Sequence, residues 1–246
     1  MSTLQIKESF LSEGSLLLIN RQHPLKKEMS RITFVPPLLD FPEIRMEVRA
    51  ASCLNQLLSA WNGPSEIIPV SGFRTAEEQT ALRNLAMKNH GSEYADRYVA
   101  VAGCSEHETG LAVDLAKRNQ QIDPICPEFL ETDSFSLFQK MAGRYGFIQR
   151  YTAEKAHITA ICSEPWHFRY VGYPHSDLMN SLNLCLEEYI DYLRRFTQKK
   201  PLILIRGGRK ICIFCAEVGQ TVSLENREVA EISGTNAGEC VITIWQ

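Results

Sequence analysis

No run of about 20 apolar residues occurs in this 246-residue chain, so the sequence offers no helix long enough to cross a bilayer. Charge of one sign is not in excess either. There are 26 Lys+Arg against 29 Asp+Glu, a formal net charge of −3, which removes any global electrostatic case for nucleic-acid or anionic-membrane partners. The first residues lack a secretory pattern. Met1 to Glu8 has no basic start, and the short apolar run Leu16 to Ile19 enters Asn20-Arg21-Gln22-His23-Pro24, which is no small-residue cleavage site. A cytoplasmic location is therefore expected. Regularly spaced cysteine pairs are also missing: the eight cysteines are scattered, so buried free thiols are expected rather than a disulfide framework. Cys212-Ile213-Phe214-Cys215 looks like half a zinc ribbon, but only Cys240 follows it, and a structural zinc needs four ligands. Repeats and low-complexity segments are absent. With 44% apolar and 22% charged residues, the chain reads as globular and long enough to bury a core without disulfides.

What is present sorts into two textures. Ser15 to Asn20 reads as a short strand, and Asp40-Phe41-Pro42 as the start of a helix, with Ile44, Val48, Ala51, Leu54, Leu58 and Trp61 at helical spacing until Gly63-Pro64 stops it. Ile67 to Val70 is a strand leading into Ser71-Gly72-Phe73-Arg74. Thr75 with Glu78 is a capping-box pattern opening a helix to about Asn89. Gly91 to Gly110 looks like a long loop, and such loops are more often functional than idle. Leu111 to Ala116 is a strand with Leu111, Val113 and Leu115 on one face and the single carboxylate of Asp114 between alanines on the other. Ser134 to Tyr145 is an amphipathic helix stopped by Gly146. Phe147 to Tyr151 and Trp166 to Val171 are strands, and Ser176 to Arg195 reads as one long helix. After Thr197 the pattern becomes strands separated by turns at Gly207-Gly208, Glu225-Asn226 and Gly234 to Gly238. The expected fold is α+β: residues 1–197 form a small mixed or antiparallel sheet flanked by helices, and residues 198–246 form an all-β appendage.

Chemistry gathers at His107, Asp114, Glu164 and His167. A hydrolytic zinc site takes three His or carboxylate ligands, keeps one position open, and needs a further carboxylate to move a proton. Asp114 lies on the small-residue face of its strand, and His167 shares a face with Arg169. Pro165, between Glu164 and His167, speaks against a helical His-Glu-x-x-His arrangement. Taken singly, each residue also fits a structural role. A His beside an apolar strand is commonly just hydrogen-bonded, and a strand Asp needs only a partner if buried.

Three separated segments carry a family resemblance. Ser105-Glu106-His107-Glu108-Thr109-Gly110-Leu111-Ala112-Val113-Asp114 resembles the Ser-x-His-x-x-Gly-x-Ala-x-Asp signature of zinc D-alanyl-D-alanine peptidases. Glu164-Pro165-Trp166-His167 resembles their Glu-x-Trp-His element. Ser71-Gly72-Phe73-Arg74-Thr75 resembles their Ser-Gly-Tyr-Arg-Ser element, with Phe73 and Thr75 as conservative departures. All three occur in family order. The resemblance spans about residues 15 to 195 and is strongest to the VanY-type carboxypeptidases and the cytoplasmic VanXY-type enzymes.

The resemblance implies His107, Asp114 and His167 as Zn2+ ligands, Glu164 as general base, and Arg74 as the cation that stabilises the oxyanion. It implies Ser105 and Gln79 as substrate contacts, and Trp166 as a core or pocket-wall residue. The implied reaction is hydrolysis of the D-Ala-D-Ala bond in free dipeptide or in nucleotide-linked pentapeptide precursors, and the implied role is resistance to vancomycin-type glycopeptides. Three other readings stay open. One is an L-Ala-D-Glu endopeptidase with the same zinc site; another is a zinc-stabilised module that binds peptidoglycan precursors without turnover; the third is an interaction protein whose partner surface is the β appendage. His23, His90, His157 and His175 match no motif position, although His157 could support a ligand from behind.

Overall fold

The computed structural model describes residues 2–26, 32–63, 66–118, 121–130, 132–225 and 229–246. Pro64 and Asn226, on which two expected turns rest, lie outside the described residues. The backbone divides into two units, one formed by Asn20–Pro24 and Glu28–Cys185, the other by Met1–Ile19, Leu25–Lys27 and Leu186–Gln246.

The first unit is α+β and holds every motif. Its strands and helices, in order, are β2 (Phe34–Val35), β3 (Met46–Glu47), α1 (Val48–Ala60), β4 (Ile67–Ser71), α2 (Ala76–His90), α3 (Ser92–Tyr98), β5 (Ala112–Lys117), α4 (Thr132–Arg144), β6 (Phe147–Tyr151), α5 (Ala156–Thr159), β7 (Glu164–Tyr170) and α6 (His175–Leu182). The central sheet has the order β4-β5-β7-β6, with every neighbouring pair antiparallel. Strand alternation decides its two faces. Val113, Leu115 and Phe168 join Leu54 and Leu57 of α1 and Phe138 and Ala142 of α4 in one core. Asp114, His167 and Arg169 stand on the opposite face. Burying that core is what holds the sheet face bearing the polar residues in place.

Three expectations for this unit change and one is met. The first helix begins at Val48, not at Pro42, because Met46–Glu47 pairs with Phe34–Val35. The Glu47 carboxylate then accepts from Arg49 N and Ala50 N, so it caps the helix. The capping box at Thr75 does form: Thr75 Oγ1 accepts from Glu78 N at 3.2 Å and Glu78 Oε2 from Thr75 N at 2.8 Å. The segment expected as a long loop contains α3 and a single 3₁₀ turn over Glu106–Thr109. The helix expected from Ser176 to Arg195 is two helices, α6 and α7 (Leu186–Leu193), because Asn183 takes a left-handed conformation (φ 51°) and terminates α6.

The second unit is built on β8 (Leu202–Arg206), β9 (Arg209–Ala216), β11 (Val229–Gly234) and β12 (Cys240–Trp245), with the order β11-β12-β9-β8. The expected boundary at 197/198 moves, because the unit recruits α7 and the N-terminal residues as well. β1 (Ser2–Gln5) pairs antiparallel with β10 (Thr221–Leu224). Leu16 N donates to Ser233 Oγ at 2.8 Å, and Leu18 N to Thr235 O at 2.9 Å. Ser15 to Asn20 is therefore no strand; Leu16 to Ile19 are buried as an irregular segment held by those bonds. The eight cysteines are all free thiols. Among the described residues, no helix is long and apolar enough to cross a membrane.

Candidate active site

The sheet register brings three residues side by side on adjacent strands: Ser71 opposes Asp114, and Asp114 opposes His167. His107 arrives from the 3₁₀ turn, which Gly110 closes in a left-handed conformation (φ 71°) just before β5. Glu108 secures that turn by accepting from Gly103 N at 2.7 Å and Ser105 N at 3.4 Å. His107 Nε2 then lies 3.2 Å from Asp114 Oδ2, and His167 Nδ1 lies 3.0 Å from Asp114 Oδ1. Glu164 Oε2 is 3.7 Å from His167 Nδ1. One donor atom each from His107, Asp114 and His167 lie within 4.8 Å of one another, and all three residues are buried.

This donor set fits a zinc ion. Two imidazoles and one carboxylate are ordinary ligands for a hydrolytic zinc, and three of them leave a position open. His107 Nδ1 is 2.7 Å from Gly72 O. A carbonyl can only accept, so Nδ1 carries the proton and Nε2 is left to face Asp114 with its lone pair. The carboxylates around the site are electrostatically unequal. Burial raises Asp114, but His107 and His167 more than reverse it and hold its carboxyl far below the usual carboxylate range. Burial lifts Glu164 to about 8, and the neighbouring Asp114 and Glu106 add to the rise. Burial would lower His167, yet the carboxylates of Asp114, Glu106 and Glu164 bring it up to about 10. Such a site strongly favours positive charge at its centre, and a divalent cation held by His107, Asp114 and His167 would take the place of those protons.

Arg74, Gln79 and Ser105 line the same small cleft as these four residues, so all seven expected site residues come together. The geometry distinguishes their tasks. Arg74 Nη1 donates to Gln79 Oε1 at 2.8 Å, and Nη2 donates to Ser71 Oγ at 2.6 Å. Gln79 Nε2 donates to Ala100 O at 2.7 Å. The amide expected to touch substrate is thus already committed at both ends, and it holds the arginine. Sequence reading missed Glu106, whose carboxylate is buried between Arg150 and Arg169 behind His167. Its signal was weak, since it occupies a variable position of the motif. It also missed Tyr151, whose ring centroid is 5.0 Å from that of His167.

A buried His-Asp-His cluster with a free carboxylate beside it, on the polar face of a small antiparallel sheet, defines the class of single-metal peptidases. The family model for D-alanyl-D-alanine carboxypeptidase (VanY) matches residues 43–173, and the chain belongs to that family. The bifunctional D-Ala-D-Ala dipeptidase and D-Ala-D-Ala carboxypeptidase VanXYC of Enterococcus gallinarum is 40% identical over 181 residues, 73% of this chain and 95% of that protein. The crystal structure of the vancomycin-resistance D,D-dipeptidase VanXYg, in complex with a D-Ala-D-Ala phosphinate analogue, superposes with a TM-score of 0.94 at 35% identity, covering 100% of this chain and 99% of that one. A variant of the D,D-pentapeptidase VanY from a VanB-type cassette, in complex with Zn(II), superposes with a TM-score of 0.61 at 31% identity, covering 72% of this chain and 99% of that one.

Proposed function

We propose that this chain is a zinc-dependent D,D-peptidase that cleaves the D-Ala-D-Ala bond, in the free dipeptide, in pentapeptide precursors, or in both. The observation that carries the reading is the convergence of His107, Asp114 and His167 with Glu164 Oε2 3.7 Å from His167 Nδ1. Zinc, when bound, supplies Lewis acidity toward the hydrolytic water and the scissile carbonyl. The chain's own residues do the rest. Glu164 takes a proton from the attacking water at its carboxylate and delivers it to the departing D-Ala amine. Arg74, held by Gln79 and Ser71, sets its positive charge against the oxyanion. Ser105, which lines the cleft, contacts the peptide in this reading.

We further infer that the enzyme acts in the cytoplasm, where eight free thiols are stable. Its substrates there are the free dipeptide and the nucleotide-linked pentapeptide, and removing both depletes the terminus that vancomycin-type glycopeptides bind. The test is zinc content of the purified protein together with D-Ala release from D-Ala-D-Ala and from the nucleotide-linked pentapeptide. The expected result is about one zinc per chain, as one catalytic site requires, with release from at least one substrate. Zinc without release from either would leave the non-catalytic binding module, and cleavage of an L-Ala-D-Glu bond instead would establish the endopeptidase.

A further inference from the structure

The Glu106 carboxylate is sealed from solvent, and its two oxygens have different surroundings. Oε1 accepts from Arg150 Nε at 2.8 Å and forms an ion pair with Arg169 Nη1 at 2.9 Å. Both arginines are as buried as the glutamate, at 2% and 0% exposure against its 1%. Oε2 has no hydrogen bond and faces His167 Nε2 at 3.6 Å, and that nitrogen also has none. At 3.6 Å this is too long to be a hydrogen bond. Two fully buried polar atoms, one a possible donor and the other an acceptor, are nevertheless aimed at each other. Tyr151 lies against the same imidazole, and Arg150 lies over the Tyr151 ring at 4.9 Å, so the ring is backed from behind as well.

We propose that Glu106, clamped by Arg150 and Arg169, is the positioning residue for His167: it accepts the Nε2 proton, fixes the ring's orientation and tautomer, and so presents the Nδ1 lone pair to the metal. This rests on the zinc reading above. A shift of the imidazole by a few tenths of an ångström toward Glu106 closes the gap to hydrogen-bond length. Three buried charges are a poor choice for filling space, since apolar side chains of like volume do that with less desolvation. What the trio provides is a direction. Two guanidiniums, which can only donate, fix Oε1 as an acceptor, and Oε2 is thereby left for the imidazole. The two histidines then bind through opposite nitrogens, His107 through Nε2 with Nδ1 at Gly72 O, and His167 through Nδ1 with Nε2 at Glu106.

The clamp makes Glu106→Gln informative. Arg150 and Arg169 demand an acceptor, so the glutamine oxygen turns to them and its NH2 faces Nε2. That amide favours a bare Nε2 and moves the proton to Nδ1, where it competes with the metal. Loss of such supporting partners typically lowers metal affinity about 10–100-fold. The first measurement is long-range 1H–15N NMR of the zinc-loaded wild-type protein, which reports the tautomer of each histidine without any substitution. The expected pattern is a protonated Nε2 and a zinc-shifted Nδ1 on His167, and the reverse on His107. The second is zinc affinity of Glu106→Gln by chelator competition, on protein whose circular dichroism matches the wild type, with an expected loss of 10-fold or more. His167 bound through Nε2, or a folded variant with unchanged affinity, would overturn the positioning role while leaving the zinc site standing. A protein in which neither His107 nor His167 responds to zinc would overturn the zinc reading itself.

Discussion

Gln79 shows how one side chain can matter without touching a reacting atom. Its amide ties Ala100 O to Arg74, so the guanidinium is held from behind and needs no reorganisation during the reaction. Gln79→Ala should lower kcat by ~10–100-fold, as expected for a misplaced catalytic group, with zinc content and melting temperature close to wild type. Steady-state kinetics beside metal analysis checks this, and a larger effect on KM than on kcat would return Gln79 to the role of substrate contact. Glu164 is the opposite case, a residue whose charge is the chemistry in the proposed mechanism. Glu164→Gln keeps the shape but cannot take a proton, so kcat should fall by at least ~100-fold while zinc stays bound. Near-normal D-Ala release from that variant would remove Glu164 as the base. That His107, Asp114, His167 and Glu164 come together was legible in the sequence, because two segments resembling family motifs carry them. Glu106 was not, because its importance lies in Arg150 and Arg169, which reach it from other strands.

At the scale of elements, the backbone shows why a glycine, Gly110, stands between the two proposed ligands His107 and Asp114. It takes φ 71°, which lets the 3₁₀ turn end and β5 begin within one residue. A Cβ there would lie 2.5 Å from Phe34 Cε1 and 3.0 Å from Glu47 N. Phe34 cannot easily give way, since its ring stacks on Phe73 at 4.0 Å, next to Arg74. Gly110→Ala should therefore cost the left-handed penalty of about 1–2 kcal/mol plus the clash. It should lower the melting temperature and weaken zinc binding together; unchanged values for both would mean the β2–β3 hairpin is free to move. Local chemistry made the Thr75 capping box and strands β4 to β7 readable, because each depends on residues a few positions apart. The start of α1 and the break at Asn183 were not readable. The first is decided by a pairing between Phe34–Val35 and Met46–Glu47, and the second by a backbone conformation that helical periodicity does not register.

For the whole molecule, the recruitment of both chain ends into one unit sets how the protein can be cut. A chain stopped at Thr197 keeps Ser2–Gln5 without its partner strand β10, keeps Ile6 without the core it shares with Phe214 and Ile242, and keeps Leu16 and Leu18 without Ser233 and Thr235, which accept their backbone hydrogen bonds. Such a protein should aggregate. A chain spanning residues 20–185 should stay in solution, bind zinc and release D-Ala, in keeping with the Enterococcus gallinarum relative, nearly all of which aligns with only part of this chain. Light scattering and metal content of the two truncations decide it, and a monodisperse 1–197 protein would show that the N-terminal segment does not depend on the C-terminal strands. No local pattern announced this pairing, because the hydrogen bond from Leu16 to Ser233 spans 217 positions.

That same span imposes an order on biosynthesis. Leu16 leaves the ribosome 217 residues before Ser233, a wait of roughly 10–40 s at ordinary elongation rates of about 5–20 residues per second. The catalytic unit, whose last residue is Cys185, is complete and free to fold during that interval. The apolar stretch Leu16 to Ile19 must meanwhile stay unpaired beside a nascent chain, and only the final strands give it a permanent place. The enzyme is thus expected to acquire its metal-binding pocket before its ends are joined, and translation pauses late in the message would lengthen the period in which chaperones must guard the beginning of the chain.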